Sequence, residues 1–211
     1  MTNSKKRPAK NMEVRNQVKH SKFYGSIFSV QNRSEAEKRI SEIKEKYSDA
    51  SHNVSAFRVE SSNPNQEPIE YFDDDGEPSG SSGPPVLEAI KGESLVNTVI
   101  IITRYFGGTK LGIGGLIRAY GDTARIAIKE AGIESLKEFY KIKVNTSFDK
   151  IGIVLGQLEA LEADIKNTEY TNHGAVAFAV IPAEIKKKLD EILKEKTAAD
   201  YNLEIIKSLF K

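Results

Sequence analysis

The chain of 211 residues contains no cysteine and only three histidines. The absence of cysteine excludes disulfides, thiolate metal sites and cysteine nucleophiles. The histidines, His20, His52 and His173, are far apart in the sequence, so no histidine-based zinc site is expected. The composition therefore predicts neither thiol nor metal chemistry, and we expect no cofactor.

The chain also lacks a long apolar run. No segment approaches the ~20 residues needed to cross a bilayer, and no secretory apolar region follows the basic start. We therefore expect a cytoplasmic protein with no membrane partner. A formal net charge of +1 provides no overall attraction to nucleic acid. Bases are concentrated near the start, and residues 1–11 are predicted to form a basic flexible tail.

Glycine, by contrast, is concentrated in the segment Arg104–Gly121. The β-branched run Val99–Thr103 before it predicts a buried strand, and helical spacing after it predicts a helix that starts near Gly115. Free N–H groups at a helix N-terminus favour an anion, and nearby basic side chains strengthen that preference. The glycines are Gly107, Gly108, Gly112, Gly114 and Gly115, and the bases are Arg104, Lys110 and Arg118.

This loop does not match the common nucleotide-binding motifs. A dinucleotide GxGxxG motif from Gly112 would need glycine where Ile117 stands, and a Walker A motif from Gly107 would need lysine where Ile113 stands. Two interpretations remain open. The glycines either turn the chain tightly and pack a helix on a strand, or they let an anion or a partner approach the backbone.

A second distinctive segment, Glu70–Pro85, carries the acids Asp73, Asp74, Asp75 and Glu77 ahead of a Ser/Gly/Pro stretch. Carboxylates can hold a hard cation, but three consecutive aspartates lack the alternation of an EF-hand loop. An acidic turn is the favoured interpretation. Because the two segments carry opposite charge, we predict an Arg–carboxylate pair that joins them.

Together these segments resemble the signature of the IMPACT family. The matching motifs are DDGEPSG at Asp74–Gly80, RYFGGTKLG at Arg104–Gly112 and GGLIRAYG at Gly114–Gly121, with further agreement at 21–23 and 51–53. The family usually has Cys-Tyr-Ala-Tyr after the His-Asn pair, where this chain has Val-Ser-Ala-Phe at 54–57. The resemblance covers about 14–132, and the remainder is similar to the small C-terminal domain of the YigZ-like bacterial branch.

The pattern predicts an α+β protein with two domains after the tail. The first, 12–137, includes a helix opened by a capping box at Ser34 and Glu37. The family resemblance implies that this domain has the fold of a small-subunit ribosomal protein's C-terminal domain, as in domain IV of elongation factor G. The second, 138–211, shows strand and helix patterns in the order β-α-β-β-α-β, which predicts a ferredoxin-like fold.

No complete catalytic constellation is evident, so no catalytic residue is assigned. The resemblance implies a regulatory or binding protein linked to translation or stress-response control, through a protein, ribosome or RNA contact. The alternative is an enzyme or a binder of a small phosphorylated ligand that uses the glycine loop, with His52 and the acids as acid/base candidates. The candidate binding residues are His52, Asp74, Asp75, Glu77, Ser79, Arg104, Gly107, Gly108, Lys110, Gly112, Gly114, Gly115 and Arg118.

Overall fold

The computed structural model describes residues 5–61 and 66–210. The chain divides into two compact units between Ser135 and Leu136, two residues before the division expected from the sequence. Each unit combines helices with antiparallel sheet, so the protein is of the α+β class.

The first unit is built on a five-stranded antiparallel sheet with the strand order β2-β3-β6-β4-β5. A separate two-stranded sheet pairs β1 with β7. The elements are β1 (Lys6–Pro8), β2 (Met12–Val18), β3 (Ser21–Ser29), α1 (Arg33–Lys46), β4 (His52–Val59), β5 (Ile69–Asp73), α2 (Gly83–Gly92), β6 (Thr98–Tyr105), α3 (Ile113–Ala131) and β7 (Ile133–Ser135).

The central strand β6 separates two hydrophobic cores. Alternate side chains of a strand point to opposite faces of the sheet. Ile100 and Ile102 accordingly pack with α2 and α3, whereas Val99 and Ile101 pack with α1 on the other face. All four side chains are fully buried, which confirms the buried central strand expected from the β-branched run.

The second unit contains one four-stranded antiparallel sheet with the order β11-β8-β10-β9. Its elements run β-α-β-β-α-β, as the sequence pattern predicted. They are β8 (Glu138–Thr146), α4 (Ile151–Ala160), β9 (Asp164–Thr171), β10 (Gly174–Pro182), a single 3₁₀ turn (Ala183–Ile185), α5 (Lys186–Lys196) and β11 (Asn202–Phe210). The two helices bury Val154, Leu158, Leu189 and Leu193 in a core of this unit's own residues.

The predicted flexible tail differs from the structure. Residues 1–4 lie outside the described residues, but Lys6–Pro8 form β1 and pair with Ile133–Ser135. Backbone hydrogen bonds extend this attachment, from Val96 N to Lys6 O (2.8 Å) and from Ala9 N to Gly132 O (3.1 Å). The concentration of basic side chains gave no indication of strand β1, because strands pair through backbone N–H and C=O groups, which do not depend on side-chain charge.

Three local predictions also differ from the structure in part. The cap of α1 is Asn32, whose side chain accepts the Glu35 N–H at 3.0 Å, and not Ser34. The acidic turn is present at Asp74–Gly80, but the acidic segment before it, up to Asp73, belongs to strand β5. Helix α3 begins at Ile113, with Gly112 as its N-cap, two residues before the predicted start.

Candidate functional site

The two sequence motifs meet at a buried ion pair. Arg104, near the end of β6, donates from Nη1 to Glu77 Oε1 at 2.5 Å, and their side chains are only 6% and 4% exposed. The predicted Arg–carboxylate pair is thereby confirmed. Tyr120 of α3 donates to the same oxygen at 2.8 Å, and Arg104 Nη2 donates to Ser21 Oγ at 3.3 Å.

This pair is a junction between elements rather than an open site. The ring of Tyr120 is fully buried and lies edge-on to Phe23, with 5.3 Å between the ring centroids. Burial and the neighbouring Glu77 raise the pKa of Tyr120 far above its ordinary value, so the phenol stays a hydrogen-bond donor. The cluster therefore holds the acidic turn, β6 and α3 together, and direct ligand contact by Glu77 is not supported.

Asp74 caps helix α2. Its Oδ1 accepts Ser82 N–H (3.0 Å), Ser82 Oγ–H (2.6 Å) and Gly83 N–H (2.8 Å), while Oδ2 accepts Gly80 N–H at 2.8 Å. Burial alone would raise the pKa of Asp74, but these hydrogen bonds outweigh burial and the pKa is lowered. A carboxylate at a helix N-terminus is stabilised by the free N–H groups there, so Asp74 has a structural role.

Asp75 joins the acidic turn to α1 and β4. Its carboxylate accepts Lys44 Nζ at 2.6 Å and the Asn53 N–H at 2.6 Å. Burial would raise the pKa of Asp75, but these two hydrogen bonds lower it overall. Ser79 lies exposed at the outer side of the turn and has no hydrogen bond with any residue that the structure describes.

His52 lies between the acidic turn and the ion pair. Its Nδ1 is 2.8 Å from the Asp75 carbonyl oxygen, and a carbonyl only accepts, so Nδ1 carries the proton. Nε2 is 3.9 Å from Glu77 Oε2, and the side chain is 25% exposed. The structure thus brings together the acid/base candidates of the sequence, but Glu77 is already held by Arg104 and Tyr120.

The positions where the chain departs from the family motif face inward. Val54 and Phe57 are fully buried in β4, on opposite faces of the sheet, and Phe57 stacks on Tyr71 with 4.9 Å between ring centroids. The departure from Cys-Tyr-Ala-Tyr therefore alters the core and not the surface around His52.

The glycine loop combines a close approach with an uncapped helix end. A Cβ at Gly107 would overlap the backbone carbonyl of His20, so this position requires glycine. Gly108 and Gly112 adopt φ of 81° and 72°, which favours glycine. Among the residues that the structure describes, no side chain caps the N-terminus of α3, in contrast to Asn32 at α1. Gly114 and Gly115 lie in the first turn, where their N–H groups follow the N-cap.

The surface beside this helix end is basic and apolar. Lys110 and Arg118 are exposed, and neither forms an ion pair or hydrogen bond with any described residue. Phe106, Ile113 and Ile117 are 48%, 63% and 42% exposed, so large apolar side chains also reach the surface here. We call these five side chains, together with the uncapped N-terminus of α3, the glycine-loop surface.

An adjoining groove was missed by sequence reasoning. Its volume is about 370 Å³, and its lining contains aromatic and basic side chains but no acid: His20, Lys22, Tyr24, Tyr105, Phe106 and Gly107. A partial signal was present, because alternation on β3 places Lys22 and Tyr24 on one face. The pairing of Lys22 with Tyr105 of β6 comes from the strand register, which the sequence does not give.

Within residues 5–61 and 66–210, no group of three or more His, Asp or Glu side chains is arranged to hold a metal ion. None of the helices in these same ranges is long and apolar enough to cross a bilayer.

Fold and site together define a two-unit α+β protein with an internally braced acidic turn and an unpaired basic loop surface. Residues 19–128 match the family described as the Impact N-terminal domain. The chain is 33% identical over 156 residues to the IMPACT family member YvyE of Bacillus subtilis (strain 168), covering 74% of this chain and 70% of the relative. It is 24% identical to the IMPACT family member YigZ of Escherichia coli (strain K12), covering 77% and 79% respectively.

A solved structure described as a hypothetical protein is also similar, with a TM-score of 0.72 at 23% identity; the match covers 98% of this chain and 99% of that one. This likeness shows the fold alone. The sequence matches show more: the chain belongs to the IMPACT family. Membership supports a regulatory or binding protein in general.

Proposed function

We propose that this protein is a cytoplasmic regulatory binding protein, linked to translation or stress-response control, that contacts RNA, including ribosomal RNA, through the glycine-loop surface. The observation that carries the proposal is the uncapped N-terminus of α3 flanked by two exposed bases, Lys110 and Arg118, without described partners. A phosphate group satisfies such N–H groups and pairs with both cations.

The contrast with α2 supports this assignment. At the start of α2 the carboxylate of Asp74 already accepts the N–H groups of Ser82 and Gly83, so these groups are not available to an external anion. At α3 the N-cap is Gly112, which has no side chain that could accept hydrogen bonds from the free N–H groups of the first turn. The N-terminus of α3 therefore has the capacity for an external phosphate that α2 lacks.

The architecture of both units is consistent with the proposal. The strand order β11-β8-β10-β9 supports a ferredoxin-like assignment for the domain at 138–211. For 12–137 we propose the fold of the ribosomal protein's C-terminal domain, also found in domain IV of elongation factor G. Folds shared with components of translation increase the expectation of ribosome contact by analogy only.

The test compares a loop variant with a variant of equal charge change elsewhere. Lys110→Ala/Arg118→Ala should weaken binding of a labelled RNA oligonucleotide and lower its salt dependence by roughly one slope unit per lost phosphate contact. The control, Lys38→Ala/Lys187→Ala, removes two lysine side chains that are 75% and 90% exposed on other helices. It should change the affinity for RNA little. Unchanged affinity in the loop variant, or a large loss of thermal stability, would contradict the proposal.

A small phosphorylated ligand is the second candidate, because the same helix end would receive its phosphate. In the same titrations, a nucleoside monophosphate that binds as tightly as the oligonucleotide would favour this candidate. Dependence of that binding on His52→Ala would further indicate a site beside Glu77 that includes His52, whose side chain is 25% exposed.

A further inference from the structure

The groove beside the glycine loop has aromatic walls that are already fixed. Tyr24 meets Tyr105 edge-on, with centroids 6.0 Å apart, and stacks on Tyr47 at 5.8 Å. Tyr105 donates its hydroxyl to Asp49 at 2.7 Å, and Tyr47 donates to Glu13 at 2.9 Å. Because the protein already holds these rings in place, ligand binding would cost little side-chain conformational entropy.

Phe106 provides the exposed ring of the groove. One face lies against the buried guanidinium of Arg104, whose Cζ is 5.5 Å from the ring centroid. Its backbone N–H is fixed by Ser51 Oγ at 3.0 Å. The side chain remains 48% exposed, so part of a rigidly placed aromatic surface is available to a planar ligand.

The rim of the groove is positively charged. Lys22 is exposed and lies opposite Tyr105, and Arg15 lies opposite Tyr24 in the neighbouring strand. Neither base forms an ion pair with any residue in the described ranges. Of the two acids that accept hydroxyls from these tyrosines, Glu13 is paired with Lys46, whereas Asp49 accepts only the neutral Tyr105 hydroxyl and keeps its charge. The two unpaired cations, Lys22 and Arg15, outnumber this single carboxylate. Free positive charge beside stacked aromatics is the combination that binds single-stranded nucleic acid.

The size of the groove and the need for a free base face favour an unpaired base over a paired one. A groove of about 370 Å³ lies at the small end of small-molecule pockets, so it accommodates a base and its sugar. In a duplex the base faces are stacked on each other and are not available to an aromatic side chain.

We infer that this groove holds an unpaired nucleobase of a single-stranded RNA segment, stacked on Phe106, with its flanking phosphates at Lys22 and Arg15. The inference rests on the proposed RNA contact and specifies which form of RNA is bound. It also joins the groove to the glycine-loop surface, because Phe106 belongs to both and His20 Nδ1 lies 3.3 Å from Thr109 Oγ1 of the loop.

The experiment measures binding of three RNA probes of equal length: a single strand, the same strand with abasic sites, and the same strand annealed to its complement. The wild-type protein should bind the intact single strand about 5- to 100-fold more tightly than the other two, as expected for base stacking. Phe106→Leu, which keeps an apolar side chain without the ring, should remove that preference. Phe148→Leu, at an aromatic residue 53% exposed in the second unit, is the matched control and should retain it.

A second variant reports on stacking directly. The chain has no tryptophan, so Phe106→Trp introduces the only tryptophan of the protein into the groove. Its emission should be quenched by the intact strand and not by the abasic strand, and its affinity should match that of the wild type. Phe106→Leu and Phe106→Trp should unfold at the wild-type temperature, because the side chain is half exposed.

The outcomes separate this inference from the proposed function. Absence of RNA binding by the wild-type protein would overturn both. Binding that depends on Lys110 and Arg118, but is equal for single-stranded, abasic and duplex probes, would overturn the inference and leave the proposed function standing. Quenching of the Phe106→Trp variant by a mononucleotide at the same affinity as the oligonucleotide would instead assign the groove to a small ligand.

Discussion

At the scale of single residues, the buried pair of Arg104 and Glu77 should dominate stability. Glu77→Ala leaves the guanidinium buried without its carboxylate, and also removes the acceptor of Tyr120. Breaking one partner of a buried pair typically costs about 3–5 kcal/mol. We therefore expect urea denaturation to show a loss of that size in the free energy of unfolding.

The exposed pair of Arg125 and Asp122 is the control for this measurement. Its N–O distance is also 2.5 Å, but both side chains are more than half exposed. Asp122→Ala should therefore cost no more than about 1 kcal/mol, because water screens the charges. Similar losses in Glu77→Ala and Asp122→Ala would show that burial does not set the strength of the first pair.

Gly107 should be intolerant of any side chain. A Cβ there would overlap the His20 carbonyl, so the turn between β2 and β3 would have to move. We expect Gly107→Ala to lower the thermal unfolding temperature and to disturb the aromatic groove. Gly92→Ala is the matched control, because no atom lies within 4 Å of a Cβ built there. If both variants unfold at the wild-type temperature, the close approach at Gly107 has no energetic importance.

At the scale of elements, the start of helix α2 depends on one carboxylate. Asp74→Ala removes the acceptor of four hydrogen bonds, from Gly80, Gly83 and the backbone and side chain of Ser82. Losses of helix caps cost about 0.5–2 kcal/mol, and we expect a value near the upper end. Asp74→Asn keeps one acceptor oxygen and should lose less. Equal losses in the two variants would contradict a capping role.

The same turn should set the acid limit of stability. Asp74 and Asp75 have pKa values lowered below the ordinary 3.8, so the folded chain favours their ionised forms. Their stabilisation is complete above the unfolded-state pKa and is lost as pH falls through the lower folded-state pKa. Unfolding free energies measured from neutral pH into this acidic range should fall less steeply for Asp74→Asn/Asp75→Asn than for the wild type. Equal slopes would contradict this assignment.

The sequence predicted regular elements better than their ends. Periodicity identified β6, α3 and the whole β-α-β-β-α-β order, because burial repeats along these segments. It missed β1 and β5, since Lys6–Pro8 and Ile69–Asp73 are short edge segments, and β1 pairs with β7 at the far end of the first unit. The cap at Asn32 was missed because Ser34 and Glu37 also satisfy the spacing of a capping box.

For the candidate site, opposite charges were sufficient to predict contact between Arg104 and the acidic turn. They were not sufficient to predict burial, which depends on Tyr120 and Phe23 closing over the pair. The groove was missed for a similar reason. Its aromatic walls come from β3 and β6, and only the register of those strands brings Tyr24 beside Tyr105.

At the scale of the whole molecule, the two units should fold as separate cooperative domains. The core of the second unit consists of residues between Tyr140 and Leu203, whereas both cores of the first lie between Met12 and Ala131. About seventy residues form a marginal core, since small domains bury a lower fraction of their surface. We expect a fragment of residues 136–211 to fold alone with reduced stability.

Expression of this fragment tests the expectation by far-ultraviolet circular dichroism and thermal unfolding. A sigmoidal transition should be observed, at or below the temperature at which the second unit unfolds in the full chain. Leu158→Ala in the fragment is the control, because this fully buried side chain should cost about 2–5 kcal/mol and abolish a marginal fold. Exposed Lys187→Ala should leave the transition in place. If the fragment with Leu158 intact shows no transition, then the second unit needs residues 1–135 to fold.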